Sequence, residues 1–304
     1  MGQIIDKLVE KSVRISGDQS SDIAINLYDG GNGIPLLFIH GFPFDGLMWR
    51  RAAEILLRKS LDAGDNQGAF LNYRTIIPDL RGLGKSELLT RSPTKTGISI
   101  EQYADDLDAI LTNLKIDSRV IVAGLSMGGY IAIQFAHRHN VRVAGLVLCN
   151  TKTTTDSPEG LQGRQDIIDK IYNSWDTAAG VLDSVADAMI PKFFAAKTYS
   201  EKPDIVDEIR AMIKSNNPHG VSAASWGMMK RCDSSEILAS FDLPVLVIGG
   251  EEDKFTPPDS MKQLAKIAKH AEYVEITAAG HLPPIEQPKS FAIALNNFIK
   301  KINF

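Results

Sequence analysis

Short apolar runs alternate along the chain with stretches in which apolar residues recur at helical spacing. The runs at 36–39, 74–78, 120–124, 144–149, 245–249 and 273–277 predict strands, and those at 13–15 and 23–28 predict an opening antiparallel pair joined by a polar turn at 17–21. Several runs are apolar at every position, which is typical of a parallel sheet covered on both faces. Helical spacing over 100–114, and again from Pro288, predicts covering helices. The pattern predicts an α/β fold with a doubly wound, mostly parallel sheet of eight strands.

One long stretch breaks this alternation. Between about 151 and 240 the chain has helical patterns at 161–174, 177–190, 204–215 and 219–231, with no convincing strand. We expect residues 152–239 to form a helical cap inserted between the sixth and seventh strands, and residues 1–151 and 240–304 to form the core. A second, polar insertion at 59–72 is expected to be a surface excursion.

Ser126 lies at the centre of Gly124-Leu125-Ser126-Met127-Gly128, between an apolar run and a helical pattern. A Gly-x-Ser-x-Gly segment in this context predicts a nucleophile elbow, a sharp turn that exposes one serine hydroxyl. Side chains at Gly124 and Gly128 are expected to collide across the turn. The free N–H groups at the start of the following helix favour developing negative charge. The alternative is a glycine-rich turn whose serine only caps the helix.

A serine hydroxyl needs an adjacent base that is itself oriented by a carboxylate. His281 follows the run at 273–277 on a short loop and is the candidate base. Asp253, just after the buried run at 245–248, is the candidate acid, with Glu252 as the alternative. The order serine, acid, histidine is the one that this motif predicts.

Acyl transfer also needs two N–H donors for the oxyanion of the tetrahedral intermediate. The residue after the nucleophile supplies one, so Met127 N–H is predicted as a donor. The run at 36–39 leads into His40-Gly41-Phe42-Pro43, and Phe42 N–H is predicted as the second donor. His40 is expected to hold this loop by hydrogen bonds and not to act as a base.

Four segments together resemble those of α/β-hydrolase fold proteins of the capped, single-domain type. They are His40-Gly41-Phe42-Pro43, the segment 79–86 (Asp-Leu-Arg-Gly-Leu-Gly-Lys-Ser), the segment 124–129, and the segment 249–253 with Gly280-His281. That group includes carboxylesterases, enol-lactonases, carbon–carbon bond hydrolases, cofactor-free haloperoxidases and epoxide hydrolases. The His-Gly-Phe-Pro form is similar to that of epoxide hydrolases and haloalkane dehalogenases, which have an aspartate where this chain has Ser126. A serine there implies attack on an acyl carbon.

Composition narrows the expected partners. The chain has 304 residues and a net charge of −4, and no basic patch suggests nucleic acid. No apolar run approaches membrane-spanning length, and residues 1–11 are too polar for a signal peptide. Two cysteines favour a reducing compartment, and no cysteine–histidine cluster has zinc spacing. We expect no metal, no cofactor, no nucleic-acid or membrane partner, a small-molecule substrate and a cytoplasmic location.

An apolar acyl pocket is expected beneath the cap, lined by Phe42, Met127, Phe193, Phe194 and Trp226. No arginine cluster or carboxylate pair stands out in the cap, so a strongly charged substrate is not expected. The expected function is metal-free hydrolysis of a small, mainly apolar carboxylic ester or lactone through an acyl-enzyme. Carbon–carbon bond hydrolysis or perhydrolysis on the same residues, and a hydrolase-like ligand receptor, remain the alternatives.

Overall fold

One sheet organises the computed structural model, which describes residues 7–16, 22–58, 71–88, 97–174 and 177–304. Within these ranges the sheet has eight strands in the order β1-β2-β4-β3-β5-β6-β7-β8. The first two strand pairings are antiparallel and the others are parallel, which confirms the predicted fold class. The strands are β1 Val9–Ser16, β2 Asp22–Gly31, β3 Ile34–Ile39, β4 Tyr73–Pro78, β5 Val120–Leu125, β6 Val143–Cys149, β7 Val245–Gly250 and β8 Ala271–Ile276.

The central strands are buried at every position because helices cover both faces of the sheet. Successive residues of β5 point into opposite cores: Val120 and Val122 into one, Ile121 and Ala123 into the other. The first core is completed by α2 Ile100–Asn113, α3 Met127–Arg138 and α10 Pro258–Ile267, and the second by α1 Arg50–Leu56 and α12 Pro288–Ile299. This double cover explains why the strands are continuous apolar runs.

The described segment between β6 and β7 is helical, as the sequence pattern predicts. Its helices are α4 Pro158–Asn173, α5 Ala179–Phe193, α6 Ala196–Glu201, α7 Pro203–Ser215, α8 Pro218–Lys230 and α9 Ser235–Ser240. Helices α6 and α9 were not predicted, because six residues are too few to establish a helical period. Helix α5 extends three residues beyond its predicted end and contains Pro191 in its last turn, where the missing N–H removes one intrahelical hydrogen bond and the helix ends two residues later.

Other boundaries differ by small amounts. Strand β8 begins two residues before the predicted run, and a short helix, α11 Pro283–Glu286, follows His281 where a loop was expected. Prolines are tolerated in the first helical turn, where their missing N–H would have had no partner. Residues 59–70 of the polar insertion predicted at 59–72 lie outside the described residues, as does the turn at 17–21. No helix in the described ranges is both long enough and apolar enough to cross a membrane.

Candidate active site

Ser126 lies at the tip of a sharp turn between β5 and α3. Its backbone has φ 55° and ψ −114°, a conformation that residues other than glycine rarely adopt. Neighbouring groups hold the turn in place: Ser126 N–H donates to Cys149 O (3.0 Å), and the Thr151 hydroxyl donates to Ser126 O (2.7 Å). Such strain persists only where the surroundings impose it, and it is concentrated at functional sites.

The glycines of the turn are required by close backbone contacts. A Cβ atom on Gly124 would lie 2.1 Å from Gly128 O, and one on Gly128 would lie 2.2 Å from Ile39 O. Neither carbonyl can move without disturbing the turn or β3. The structure therefore confirms that side chains at these two positions would collide with the backbone.

Asp253 and His281 form a buried, hydrogen-bonded pair. Nδ1 of His281 lies 2.8 Å from Oδ2 of Asp253, and the same carboxylate accepts from Phe255 N–H and the Thr256 hydroxyl. Burial raises the pKa of Asp253. The charge and hydrogen bond of His281, together with the other two donors, lower this pKa by more than burial raises it, so the pKa of Asp253 lies below its usual value. An ionised Asp253 requires a proton on Nδ1 of His281, which leaves Nε2 free to accept a proton.

Glu252, the alternative acid, faces a different part of the molecule. Its carboxylate accepts a 2.8 Å hydrogen bond from Ala196 N–H at the start of α6. The structure therefore pairs His281 with Asp253 and ties Glu252 to the inserted helices.

The loop that carries His281 is held by contacts from α5 and from the end of β7. His281 N–H donates to Phe193 O (2.7 Å), and the rings of Phe193 and His281 stack with centroids 5.9 Å apart. The ring centroids of Phe255 and His281 are 4.9 Å apart, and the two rings are tilted by 54°. These contacts restrict the imidazole to one orientation.

Two buried polar residues that the sequence analysis did not identify also hold this loop. Asn150 donates to Gly280 O and accepts from Gly250 N–H, each at 2.9 Å. Glu286 accepts from Gly280 N–H (2.7 Å) and from Ala195 N–H (2.8 Å). The only sequence signals were a polar residue immediately after buried β6 and an acid five residues beyond the candidate histidine.

The loop after β3 is held by His40. Nε2 of His40 accepts from Leu80 N–H (2.9 Å), and Nδ1 lies 2.9 Å from Gly41 O. Burial lowers the pKa of His40, which keeps the ring neutral with its proton on Nδ1. The geometry agrees with the structural role expected for this histidine. A Cβ on Gly41 would lie 2.8 Å from the Leu125 side chain, so glycine lets this loop approach the elbow.

The two predicted amide donors are available. Met127 is the first residue of α3, so its N–H has no partner within the helix. Within the described ranges, neither Met127 N–H nor Phe42 N–H donates to another protein group. No hydrogen bond joins the Ser126 hydroxyl to His281 in the described residues, and catalytic contacts of this kind commonly tighten only when substrate binds.

Ser126 and His281 open onto one cavity of about 130 Å³. Of the residues expected to line an acyl pocket, Phe42 and Phe193 lie on this cavity, whereas Trp226, Phe194 and the Met127 side chain are absent from its walls. The full lining comprises Phe42, Ser126, Tyr130, Lys152, Asp156, Arg164, Met189, Phe193, Met228, Phe255, Thr256 and His281.

The expectation for Trp226 was wrong because it depended on which face of α8 points inward. Met228 lines the cavity, and residues two apart on a helix point about 200° apart. Trp226 is only partly buried and packs over the backbone of residue 97, where a Cβ on Gly97 would lie 2.6 Å from the Trp226 Cβ. Phe194 is buried in the second core and Met127 in the first.

The polar end of the cavity was also not foreseen. The Asp156 carboxylate is contacted by Lys152 Nζ (2.9 Å), by Arg164 Nε, and by both terminal nitrogens of Arg231 (3.0 and 3.1 Å). We refer to Lys152, Arg164 and Arg231 as the cationic cluster. The expectation that the inserted helices contribute no arginine cluster was wrong, because Arg231 is 75 residues from Asp156 and only the fold brings it to the carboxylate that Lys152 and Arg164 contact.

The described residues contain no group of three or more histidine, cysteine, aspartate or glutamate side chains arranged to hold a metal ion. Cys149 is buried at the end of β6, where burial raises the pKa of its thiol well above the usual value, and Cys232 is exposed. The polar side chains that line the cavity are Ser126, His281, Tyr130 and Thr256, together with the charged Lys152, Asp156 and Arg164.

Known proteins are similar to this chain in sequence and in fold. A sequence model described as the alpha/beta hydrolase fold matches residues 34–288. A thermophilic esterase from Thermogutta terrifontis, solved with malate bound, is similar with a TM-score of 0.83 and 34% identity, over 96% of this chain and 98% of that chain. A non-heme chloroperoxidase of Kitasatospora aureofaciens is 28% identical, over 83% of this chain and 86% of its own. The 3-oxoadipate enol-lactonase 1 of Acinetobacter baylyi is 23% identical, over 96% and 98%.

Proposed function

The chain belongs to the α/β-hydrolase fold family and is an enzyme acting on ester bonds, and from this we propose that it is a serine hydrolase that cleaves a small carboxylic ester or lactone through an acyl-enzyme on Ser126. The observation that carries the proposal is the placement of Ser126 and His281 on one cavity, with the imidazole held by buried Asp253. A serine that only capped α3 would need neither the strained backbone nor this pair.

Acylation uses each of these groups in turn. The Ser126 hydroxyl attacks the ester carbonyl carbon while its proton passes to Nε2 of His281. Asp253 keeps the proton on Nδ1 and stabilises the imidazolium that forms. The bond between the carbonyl carbon and the leaving oxygen then breaks, and His281 returns the proton to that oxygen. The acyl group remains bonded to Ser126.

The negative charge that develops on the carbonyl oxygen requires fixed donors. We assign this role to the amides of Phe42 and Met127, since Gly41, which precedes Phe42, packs directly against Leu125 in the elbow. Phe42 follows β3, and Met127 is the first residue of α3. The positive end of the α3 dipole therefore adds to the stabilisation of the oxyanion. Both donors are backbone groups held by neighbouring structure, so they need little reorganisation when the charge forms.

Deacylation repeats the sequence with water. His281 removes a proton from a water molecule, the resulting oxygen attacks the acyl carbon, and the bond to Ser126 breaks with return of the proton to the serine. The helices over 152–239 act in this proposal as a cap, because Met189, Phe193, Met228 and the charged end of the cavity all come from this segment. The cap limits the size of the acyl group and excludes bulk water.

A panel of p-nitrophenyl esters of graded chain length, with a fluorophosphonate probe, tests the proposal. We expect turnover of short-chain esters, covalent labelling of Ser126 alone, and loss of about 10³-fold or more of turnover in Ser126→Ala. Ser240→Ala, a change at an exposed serine at the end of α9, is the matched control and should keep full activity. Labelling of a different serine, or full activity in Ser126→Ala, would remove Ser126 from the mechanism.

Similarity to the chloroperoxidase supports a second candidate, perhydrolysis on the same acyl-enzyme. Hydrogen peroxide would replace water in the second step, so that the carboxylic acid is released as a peracid and no electron transfer by the protein is needed. Adding peroxide to the ester panel and measuring peracid separates the two activities. Peracid formation that does not depend on Ser126 would exclude this route.

A further inference from the structure

Three positive side chains surround a single carboxylate at one end of the proposed active-site cavity. Lys152 lies on the segment after β6, Arg164 lies on α4, and Arg231 directly follows α8. All three contact Asp156, whose side chain is only 6% exposed. Asp156 carries one negative charge against three positive ones, so these four side chains together carry a net charge of +2.

The three cations are not equivalent. Arg231 is 4% exposed, and both of its terminal nitrogens are engaged: they donate to both oxygens of Asp156, to Met228 O and to Thr154 O, and the guanidinium lies 4.2 Å over the Tyr130 ring. We therefore infer that Arg231 holds the Asp156 carboxylate in position for the other two cations.

Arg164 and Lys152 line the cavity itself. Their side chains are 18% and 33% exposed, respectively, and both touch Asp156. In the described residues Arg164 uses only Nε for this contact, so its two terminal nitrogens have no protein acceptor. A planar guanidinium with both terminal nitrogens available offers the paired donors that carboxylates accept.

The surplus charge is permanent. Burial raises the pKa of Asp156, but hydrogen bonds from Arg231 and Arg164 and the nearby positive charges bring it well below its usual value. Asp156 therefore stays ionised, and it is the only acidic side chain among the described residues that line the cavity. Partly buried positive charge in excess of the carboxylates that contact it is costly, so its presence beside a cavity indicates a place for an anion.

We propose that Arg164 and Lys152 bind a carboxylate in the acyl portion of the substrate. This inference rests on the proposed function, because it places that carboxylate relative to an ester carbonyl at Ser126. The acyl portion is chosen because it stays on Ser126 through both steps, inside the cavity that the serine shares with the cationic cluster. The substrate class is then the monoester of a short dicarboxylic acid, or a lactone that carries a carboxylate.

The remaining walls agree with this class. Met189, Phe193, Met228 and Phe255 line the same cavity, and their apolar side chains are suited to a short methylene spacer. A cavity of about 130 Å³ leaves room for only a small acid. The substrate would thus have a reactive carbonyl at one end, an apolar middle and a negative charge at the other end.

Paired substrates of equal size test the proposal. Monoethyl esters of succinic, glutaric and adipic acids are compared with the ethyl esters in which the free carboxylate is a primary amide. Kcat/KM is measured by the release of ethanol. We expect the charged ester to be preferred at one of these lengths, with a maximum where the spacer matches the distance from Ser126 to the cluster.

Variants then assign the preference to residues. Arg164→Gln should lower the ratio of charged to neutral kcat/KM by roughly 10- to 100-fold, since hydrogen bonds to charged groups are of that size. Lys152→Gln should lower it less, and Arg164→Lys should restore part of it, because lysine keeps the charge but not the paired geometry. Arg138→Gln is the matched control, since Arg138 also pairs with an aspartate, Asp105, but lies on the surface and away from the cavity.

The outcomes separate the two proposals. Binding of the same esters to Ser126→Ala, measured by calorimetry, reports the anion site without turnover. If that protein prefers the charged ester while the wild type hydrolyses neither, the anion site stands and the proposed hydrolysis falls. If the wild type hydrolyses both esters equally at all three lengths, or if Arg164→Gln and Lys152→Gln leave the ratio unchanged, the carboxylate site is refuted and hydrolysis stands.

Discussion

Nδ1 of His281 lies 2.8 Å from Oδ2 of Asp253, and both side chains are buried beneath the inserted helices. The same carboxylate accepts from two further donors on the loop that carries Asp253, Phe255 N–H and the Thr256 hydroxyl. The arrangement holds a negative charge in a fixed direction against one ring nitrogen. It leaves the other ring nitrogen for chemistry at Ser126.

Asp253→Asn should keep the fold and lower turnover by roughly 10⁴-fold, because an amide that donates to Nδ1 favours the wrong tautomer of His281. Glu252→Gln is the adjacent control, since Glu252 contacts Ala196 N–H and not the imidazole. Steady-state kinetics with circular dichroism measures both variants. A mild effect of Asp253→Asn together with a severe effect of Glu252→Gln would show that the acid is Glu252.

Gly128→Ala should destabilise the elbow, because its Cβ would lie 2.2 Å from Ile39 O and the backbone cannot yield. We expect a loss of about 1–3 kcal/mol or more in the free energy of unfolding, as for other overpacked sites. Gly163→Ala, within α4, is the control: its Cβ meets nothing within 4 Å, so it should stabilise by about 0.5–1 kcal/mol. Urea unfolding compares them, and equal effects at the two glycines would contradict the packing argument.

Asp45 is expected to make stability depend on pH. Burial, with the charge of Asp79, raises the pKa of Asp45 to about 7, compared with roughly 3.9 in an unfolded chain. Because the folded pKa is the higher one, the stabilisation is complete below the unfolded pKa and is lost as the pH rises through about 7. Asp45→Asn keeps an acceptor for Leu47 N–H and should remove this loss.

The free energy of unfolding of Asp45→Asn should therefore exceed that of the wild type by more at pH 8 than at pH 5. Asp166→Asn, at an exposed aspartate of α4, is the control and should show no such difference. A gain for Asp45→Asn that is the same at both pH values would contradict the assigned titration.

Met228→Ala should shift the preferred p-nitrophenyl ester toward longer acyl chains, because Met228 lines the cavity. Each CH₂ that the enlarged cavity buries contributes about 0.8 kcal/mol, which is close to fourfold in kcat/KM. Trp226→Ala should leave the preferred length unchanged and lower the melting temperature, since Trp226 packs over Gly97. A shift caused by Trp226→Ala and not by Met228→Ala would reverse this assignment of the wall.

Local patterns sufficed for the fold and for the position of the serine. The elbow is encoded within five residues, and the continuous apolar runs reflect a sheet covered on both faces, so both could be predicted without tertiary information. The choice between Glu252 and Asp253 could not be settled locally, because adjacent residues in a loop point in directions that only the surrounding contacts determine.

The cationic cluster and the cavity walls depend on longer-range packing. Asp156 and Arg231 are 75 residues apart, and no periodicity relates them. The error at Trp226 has the same origin, since an apolar helix can turn either Trp226 or Met228 inward until its neighbours are known. Glu286 and Asn150 are likewise ordinary polar residues in sequence and become recognisable only through the buried backbone groups that they satisfy.

The formation of an acyl-enzyme on Ser126 is the central claim, and rapid acid quenching of the enzyme with a short-chain p-nitrophenyl ester, followed by peptide mass spectrometry, tests it most directly. We expect the peptide that contains Ser126 to gain the mass of the acyl group within the first turnover, and this adduct to be absent in Ser126→Ala. Turnover without any acylated Ser126 peptide, or an adduct on another residue that forms and decays at the catalytic rate, would contradict the account.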